Sequence, residues 1–247
     1  MQANRILPPI VPPFRYGMVE SNVFRGAYPK ERNLRFLKRL KLKTILSLIP
    51  DQPTQELVSF CRENGIMNMM IRVKKPKENV PLNFSKVVQI LEIVINPEYH
   101  PLYLHCVDGT VVTGVVIMCL RKLQLYSVPS ALTEFARYLR DGVVASEESE
   151  FIERFTSEIN IPKEIPDWLW GGQITFKKHP TLKIKLSEMP LELSESKKTE
   201  EKKSNDLLGD LLVPKGDINA VVNGSSTVDQ DNLSQTLQAL ALEGIRQ

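Results

Sequence analysis

The stretch that most constrains this chain is residues 101–114, PLYLHCVDGTVVTG. An apolar run ends in His105 and Cys106, a short loop containing Gly109 follows, and an apolar stretch then resumes. That order reads as strand, loop, helix. A Cys at such a junction faces the positive end of a helix and converging backbone N–H groups, which favour a thiolate and can also hold an anion. Gly109 lets the loop backbone close without a Cβ in the way. Thr113 supplies a hydroxyl beside the sulfur, and Gly114 permits tight helix packing.

Periodicity around this unit predicts an α/β fold, with a largely parallel central sheet flanked by helices. SNVFRGAYPK, residues 21–30, offers a short strand and a turn at Tyr28 and Pro29. From Asn33, Leu34, Leu37 and Leu40 keep helical spacing among Arg and Lys. KTILSLIP reads as a buried strand closed by Pro50, and TQELVSFCRENG as a helix capped by Thr54 and closed by Gly65. IMNMMIRV is a further strand, LNFSKVVQILEIVINP a helix, and PLYLHC the innermost strand. GVVIMCLRKLQL begins a buried helix, followed by helices over PSALTEFARYLR and ASEESEFIERFTSEI. Cys106 then falls at the carboxyl edge of the sheet, where open α/β folds place their sites.

Four segments are expected: an extended, Pro-rich stretch over 1–17, a main domain over 18–160, a C-terminal extension packed on it over 161–189, and a disordered tail over 190–247. SESKKTEEKKSND lacks apolar residues, which is the basis for the tail. Leu233, Leu237 and Leu240 fall on one helical face there. This end could fold against a protein partner, fold back on the domain, or hold no stable structure. Hydrophobic residues make up 42% of the chain, enough for a sizeable core, and the net charge of +3 selects no polyanion such as nucleic acid.

Cys61, Cys106 and Cys119 form no CxxC pair, so a reducing compartment is expected, the cytoplasm or the nucleus. No apolar run is long enough to span a bilayer. No metal and no cofactor are expected. Cys61 and Cys119 read as core residues, His100 and His179 as solvated loop residues, and Trp168 and Trp170 as pins for the chain after the last helix.

HCVDGTVVTG resembles the His-Cys-x5-Arg-Ser/Thr-Gly signature of cysteine-dependent tyrosine and dual-specificity phosphatases. With VFRGAYP, FLKRLKLKTILSL, FCRENGI and CLRKLQ in the same order, the chain resembles the atypical clade of fungal and plant inositol-pyrophosphate phosphatases and fungal oxidant-induced cell-cycle-arrest proteins, over roughly residues 18–158. The resemblance implies the cysteine-dependent phosphatase fold and a phosphocysteine mechanism. It matches Cys106 to the nucleophile, His105 to the residue that tunes it, and Thr113 to the hydroxyl serving the sulfur. Val107, Asp108, Gly109, Thr110 and Val111 match the backbone of the phosphate loop.

The signature's Arg falls at Val112, and there the match fails. A guanidinium at that position holds two phosphoryl oxygens and follows them into the transition state. Losing such a donor costs about 3 kcal/mol or more, roughly a hundred- to ten-thousandfold in rate. Arg121 and Lys122 lie more than two turns along the helix, so any surrogate must come from another loop. The loop after MMIRV, where an acid for the leaving oxygen is expected, has only Glu78 as a carboxylate. Asp108 places a negative charge inside the cradle itself. Arg72, Lys74, Lys75 and Lys77 form either a solvated charge run or a basic overhang.

Three functional readings follow. The first is a pseudophosphatase that binds a phosphorylated small molecule or phosphoprotein without efficient hydrolysis. The second is a weak Cys106-dependent phosphatase acting on phosphotyrosine or inositol pyrophosphates. The third is a redox-responsive thiol at Cys106.

Overall fold

The computed structural model describes residues 9–75 and 80–186. The chain divides into two units, Met1–Pro190 and Leu191–Gln247, and every described residue belongs to the first. The tail with Leu233, Leu237 and Leu240 lies outside the described residues, as do Lys77 and Glu78.

Five strands form one sheet in the order β1–β2–β5–β3–β4: β1 (Gly17–Glu20), β2 (Val23–Ala27), β3 (Thr44–Ile49), β4 (Met67–Arg72) and β5 (Leu102–Cys106). Only the β1–β2 pair is antiparallel; β2–β5, β5–β3 and β3–β4 are parallel. Every residue of β3 and of β5 is buried, as expected for parallel strands covered on both faces. PLYLHC is therefore the central strand.

Alternation along β5 assigns the two cores. Leu102, Leu104 and Cys106 join the larger core under helices α3 (Phe84–Val94), α4 (Val111–Leu123), α5 (Val128–Ala136) and α6 (Ser146–Arg154). Tyr103 faces the smaller core with α1 (Glu31–Arg39) and α2 (Gln55–Glu63), built around Leu37, Ile45, Leu57 and Phe60. From Val112 to Leu123 every residue of α4 is buried, which places this helix at the centre of the larger core.

Some local expectations are corrected. Thr54 makes no side-chain cap on α2; its backbone N–H donates to the Tyr28 hydroxyl, which donates in turn to Thr54 Oγ1. The segment expected to be one helix through residue 159 ends at Arg154. Glu158–Ile161 instead forms strand β6, paired in parallel with β7 (Lys183–Leu186). Ile159 and Ile161 are fully buried while their neighbours are exposed, a period of two that a helix cannot satisfy.

His179 is not solvated but 2% exposed. Its Nε2 lies 3.2 Å from the Leu123 carbonyl, and its Nδ1 accepts the Thr181 and Leu182 N–H groups. His100 is half-buried, with Nε2 2.8 Å from the Val94 carbonyl. Trp170 Nε1–H also donates to the Leu123 carbonyl, so the chain after α6 satisfies the open carbonyl end of α4.

Candidate functional site

β5 delivers Cys106 to the carboxyl edge of the sheet, and α4 starts five residues later. Between them Gly109 has φ +75, and a Cβ there would stand 2.7 Å from Ala27 N and from Gly26 C. The loop thus lies directly on the end of β2, and both its conformation and its closeness require glycine. A Cβ on Gly114 would stand 2.2 Å from the Phe135 ring, so α4 and α5 also touch through a glycine.

The donors of Gly109 and Thr110 already have acceptors. Gly109 N–H donates to Cys106 Sγ at 3.2 Å. Thr110 gives its N–H to Asp108 Oδ1 at 3.1 Å and its hydroxyl to Asp108 Oδ2. Cys106 Sγ–H points at the same Oδ1, 3.4 Å away. Burial works to raise the Asp108 pKa, but the Thr110 and Cys106 hydrogen bonds and the nearby Arg15 charge outweigh it and hold the carboxyl below its ordinary value. The nest carries its own anion.

Beneath the sulfur, His105 is fully buried. Its Nδ1 lies 3.2 Å from the Cys106 carbonyl and its Nε2 2.8 Å from Ser47 Oγ. A carbonyl only accepts, so Nδ1 carries the proton and Nε2 accepts from Ser47. Burial pushes the ring's pKa down to about 4, which keeps it neutral at physiological pH.

Val112 is 2% exposed and belongs to the larger core, as Cys106 does. The Thr113 hydroxyl is buried without a partner among the described residues, so it makes no hydrogen bond to Cys106. Arg121 and Lys122 are engaged elsewhere. Arg121 binds Glu20, Glu134 and the Val19 carbonyl, and Lys122 binds the Ile152 and Glu153 carbonyls at the end of α6. Arg72, Lys74 and Lys75 are exposed at and just beyond the carboxyl end of β4, a strand about 10 Å from β5 across the sheet.

Two arginines that the sequence reading left unassigned do reach the loop. Arg15 Nη1 donates to the Asp108 carbonyl at 3.1 Å, and its Nε to the Tyr138 carbonyl at 2.7 Å. Arg25, on β2 and fully buried, donates from Nη2 to the Gly109 carbonyl at 2.9 Å. Its only sequence signal was the R of VFRGAYP, a charged residue inside an apolar strand. Beside the loop, Arg15, Lys30, Arg32, Tyr28, Val107 and Asp108 line a cleft of about 520 Å³. Among the described residues no group of three His, Cys, Asp or Glu side chains is placed to hold a metal ion, and no helix is long and apolar enough to cross a membrane.

A family model described as the tyrosine phosphatase family matches residues 10–174. OCA6 of Saccharomyces cerevisiae, which bears a provisional tyrosine-protein phosphatase name, is 35% identical over 62% of this chain and 74% of its own length. The inositol diphosphatase SIW14 of the same yeast is 34% identical over 60% of this chain and 53% of its own length. The solved catalytic core of SIW14 superposes with a TM-score of 0.57 at 33% identity, covering 60% of this chain and 88% of that core. The core of SIW14, a PP-IP phosphatase, has also been solved in complex with citrate; that structure superposes with a TM-score of 0.54 over the same shares.

Proposed function

Because the chain belongs to the tyrosine phosphatase family, we propose that it is a pseudophosphatase, a protein that holds a phosphorylated ligand in the 106–112 cradle without ordinary turnover. The observation that carries this reading is the state of position 112 and its neighbour. Val112 lies in the core, and the Asp108 carboxylate takes the donor that an incoming phosphate would need. A transition state with three charged equatorial oxygens would find backbone N–H groups but, among the described residues, no guanidinium beside them.

In this reading Val107, Asp108, Gly109, Thr110, Val111 and Val112 supply the backbone of the binding loop. Cys106 is the retained nucleophile position, and Thr113 the hydroxyl at the family's matching position, which makes no hydrogen bond to the sulfur here. The ligand class follows SIW14, named an inositol diphosphatase: a phosphorylated small molecule rich in negative charge. Arg15, Lys30 and Arg32 around the neighbouring cleft suit such a ligand, since fixed positive charge raises its local concentration.

A second reading is kept by one contact. Gly109 N–H donates to Cys106 Sγ, so the sulfur sits within the loop's backbone donors, and a slow Cys106-dependent hydrolysis is the alternative. Purified protein assayed with p-nitrophenyl phosphate and with an inositol pyrophosphate separates the two. The pseudophosphatase reading expects turnover at the level of Cys106→Ser. Hydrolysis well above that variant would overturn it.

A further inference from the structure

Arg25 and Arg15 approach the loop from its outer side, and each ends on a carbonyl whose peptide partner points inward. Arg25 Nη2–H donates to the Gly109 carbonyl, and the N–H of that same peptide group belongs to Thr110, which donates to the Asp108 carboxylate. Arg15 Nη1–H donates to the Asp108 carbonyl, and the N–H of that peptide belongs to Gly109, which donates to Cys106 Sγ. Each guanidinium is therefore linked through one peptide plane to an acceptor inside the cradle. Hydrogen bonds in series polarise one another, most strongly where water is excluded.

The environment of Arg25 points to an anion rather than to a structural ion pair. The residue is fully buried, with its guanidinium carbon 3.6 Å from the centre of the Tyr138 ring, yet among the described residues Nε and Nη1 have no hydrogen-bond partner. Among the described residues, the charged and titratable groups near it are Tyr138, Glu134 on α5, Tyr103 and Cys106 on β5, and Arg121 on α4. Glu134 gives both carboxylate oxygens to Arg121. Among the described residues no carboxylate is thus dedicated to Arg25, and a buried cation in that position is costly unless an anion stands nearby.

We propose that Arg25 and Arg15 are positioning residues that supply the cradle's positive charge from behind, through the 109–110 and 108–109 peptide groups, in place of a cation at position 112. The ligand class is a dianionic oxyanion, free or as a phosphate ester, and the inference rests on the reading of the loop as an oxyanion cradle. Neither guanidinium touches the anion; each sharpens a backbone donor that does.

The full chain is titrated with sodium tungstate by calorimetry and by thermal unfolding, for the native protein, Arg25→Met, Arg25→Lys and Arg15→Met. The proposal expects Arg25→Met to weaken tungstate binding at least about fivefold while its melting temperature without ligand does not fall, because an unpaired buried charge has been removed. Arg25→Lys restores much of the affinity. Arg15→Met, at a residue outside the buried core, weakens binding less, and its effect shrinks with added salt.

A merely structural Arg25 gives the opposite pattern, a lower melting temperature with tungstate affinity intact, and that result overturns the proposal. Should Arg25→Met fail to fold, Arg15→Met decides: a salt-sensitive loss of tungstate affinity supports the proposal, and unchanged affinity at low and high salt overturns it. Native protein that does not bind tungstate overturns the oxyanion reading itself, a failure distinct from equal binding by native and variant.

Discussion

Thr110 gives both its backbone N–H and its hydroxyl to the carboxylate of Asp108, two residues earlier in the same loop. A loop whose donors converge on an anion has folded around one of its own side chains. Removing that charge while keeping the shape should release the site. Asp108→Asn is expected to tighten tungstate binding about tenfold at pH 7, or ~1.4 kcal/mol. Titration calorimetry checks it, and equal or weaker binding would show that the carboxylate does not compete.

The same carboxylate sets what a restored arginine can do. A guanidinium introduced at position 112 finds Asp108 as a ready partner inside the loop. Val112→Arg alone is therefore expected to stay near background on p-nitrophenyl phosphate. The double variant Asp108→Asn/Val112→Arg should turn over at least about tenfold faster, a barrier change of ~1.4 kcal/mol, and Cys106→Ser added to it should abolish the gain. Activity in Val112→Arg equal to that of the double variant would contradict this.

His105 ties stability to pH. Its folded pKa is depressed to about 4 by burial, below the ordinary 6.5, so between these values the unfolded chain binds the extra proton. Its contribution is complete above about pH 6.5 and is lost as pH falls toward 4, by up to about 3 kcal/mol. His105→Gln does not titrate. Urea unfolding at pH 7 and pH 4.5 should show a smaller acid loss for the variant than for the native chain; parallel losses would refute the assignment.

Two glycines with left-handed backbone should respond differently to alanine. Gly109, φ +75, has Ala27 and Gly26 backbone atoms 2.7 Å from where a Cβ would sit, whereas Gly65, φ +65, has nothing within 4 Å. Gly65→Ala should cost only the conformational term, ~1–2 kcal/mol. Gly109→Ala adds a backbone clash that cannot relax cheaply and should cost at least about 3 kcal/mol. Urea midpoints decide it, and equal losses would mean the loop can lift off β2.

Much of the fold was legible in short-range pattern. The apolar run before Cys106, the glycine after it and the apolar helix beyond read directly as the central strand, loop and helix that are observed. Helix α1 was visible in the spacing of Leu34, Leu37 and Leu40. Strand β6 was not, because SEESEFIERFTSEI carries a helical composition that pairing with β7, more than twenty residues on, overrides at its end. His179 read as a loop residue beside a proline, but the Leu123 carbonyl at the end of α4 and the Thr181 and Leu182 N–H groups give its buried ring a partner on each nitrogen.

The amino-acid sequence by itself determined the strand–Cys–loop–helix unit and the absence of an arginine at position 112, because both are matters of order along the chain. Tertiary structure decided where the remaining charges go. Val112 enters the core, Asp108 turns into the loop, and Arg25 and Arg15, eighty or more residues earlier, arrive behind it. Those placements depend on β2 lying beside β5 in parallel register, which brings Ala27 opposite Cys106 and sets Arg25 under Gly109. Electrostatics acts through space, and only the folded sheet brings these groups within hydrogen-bonding distance.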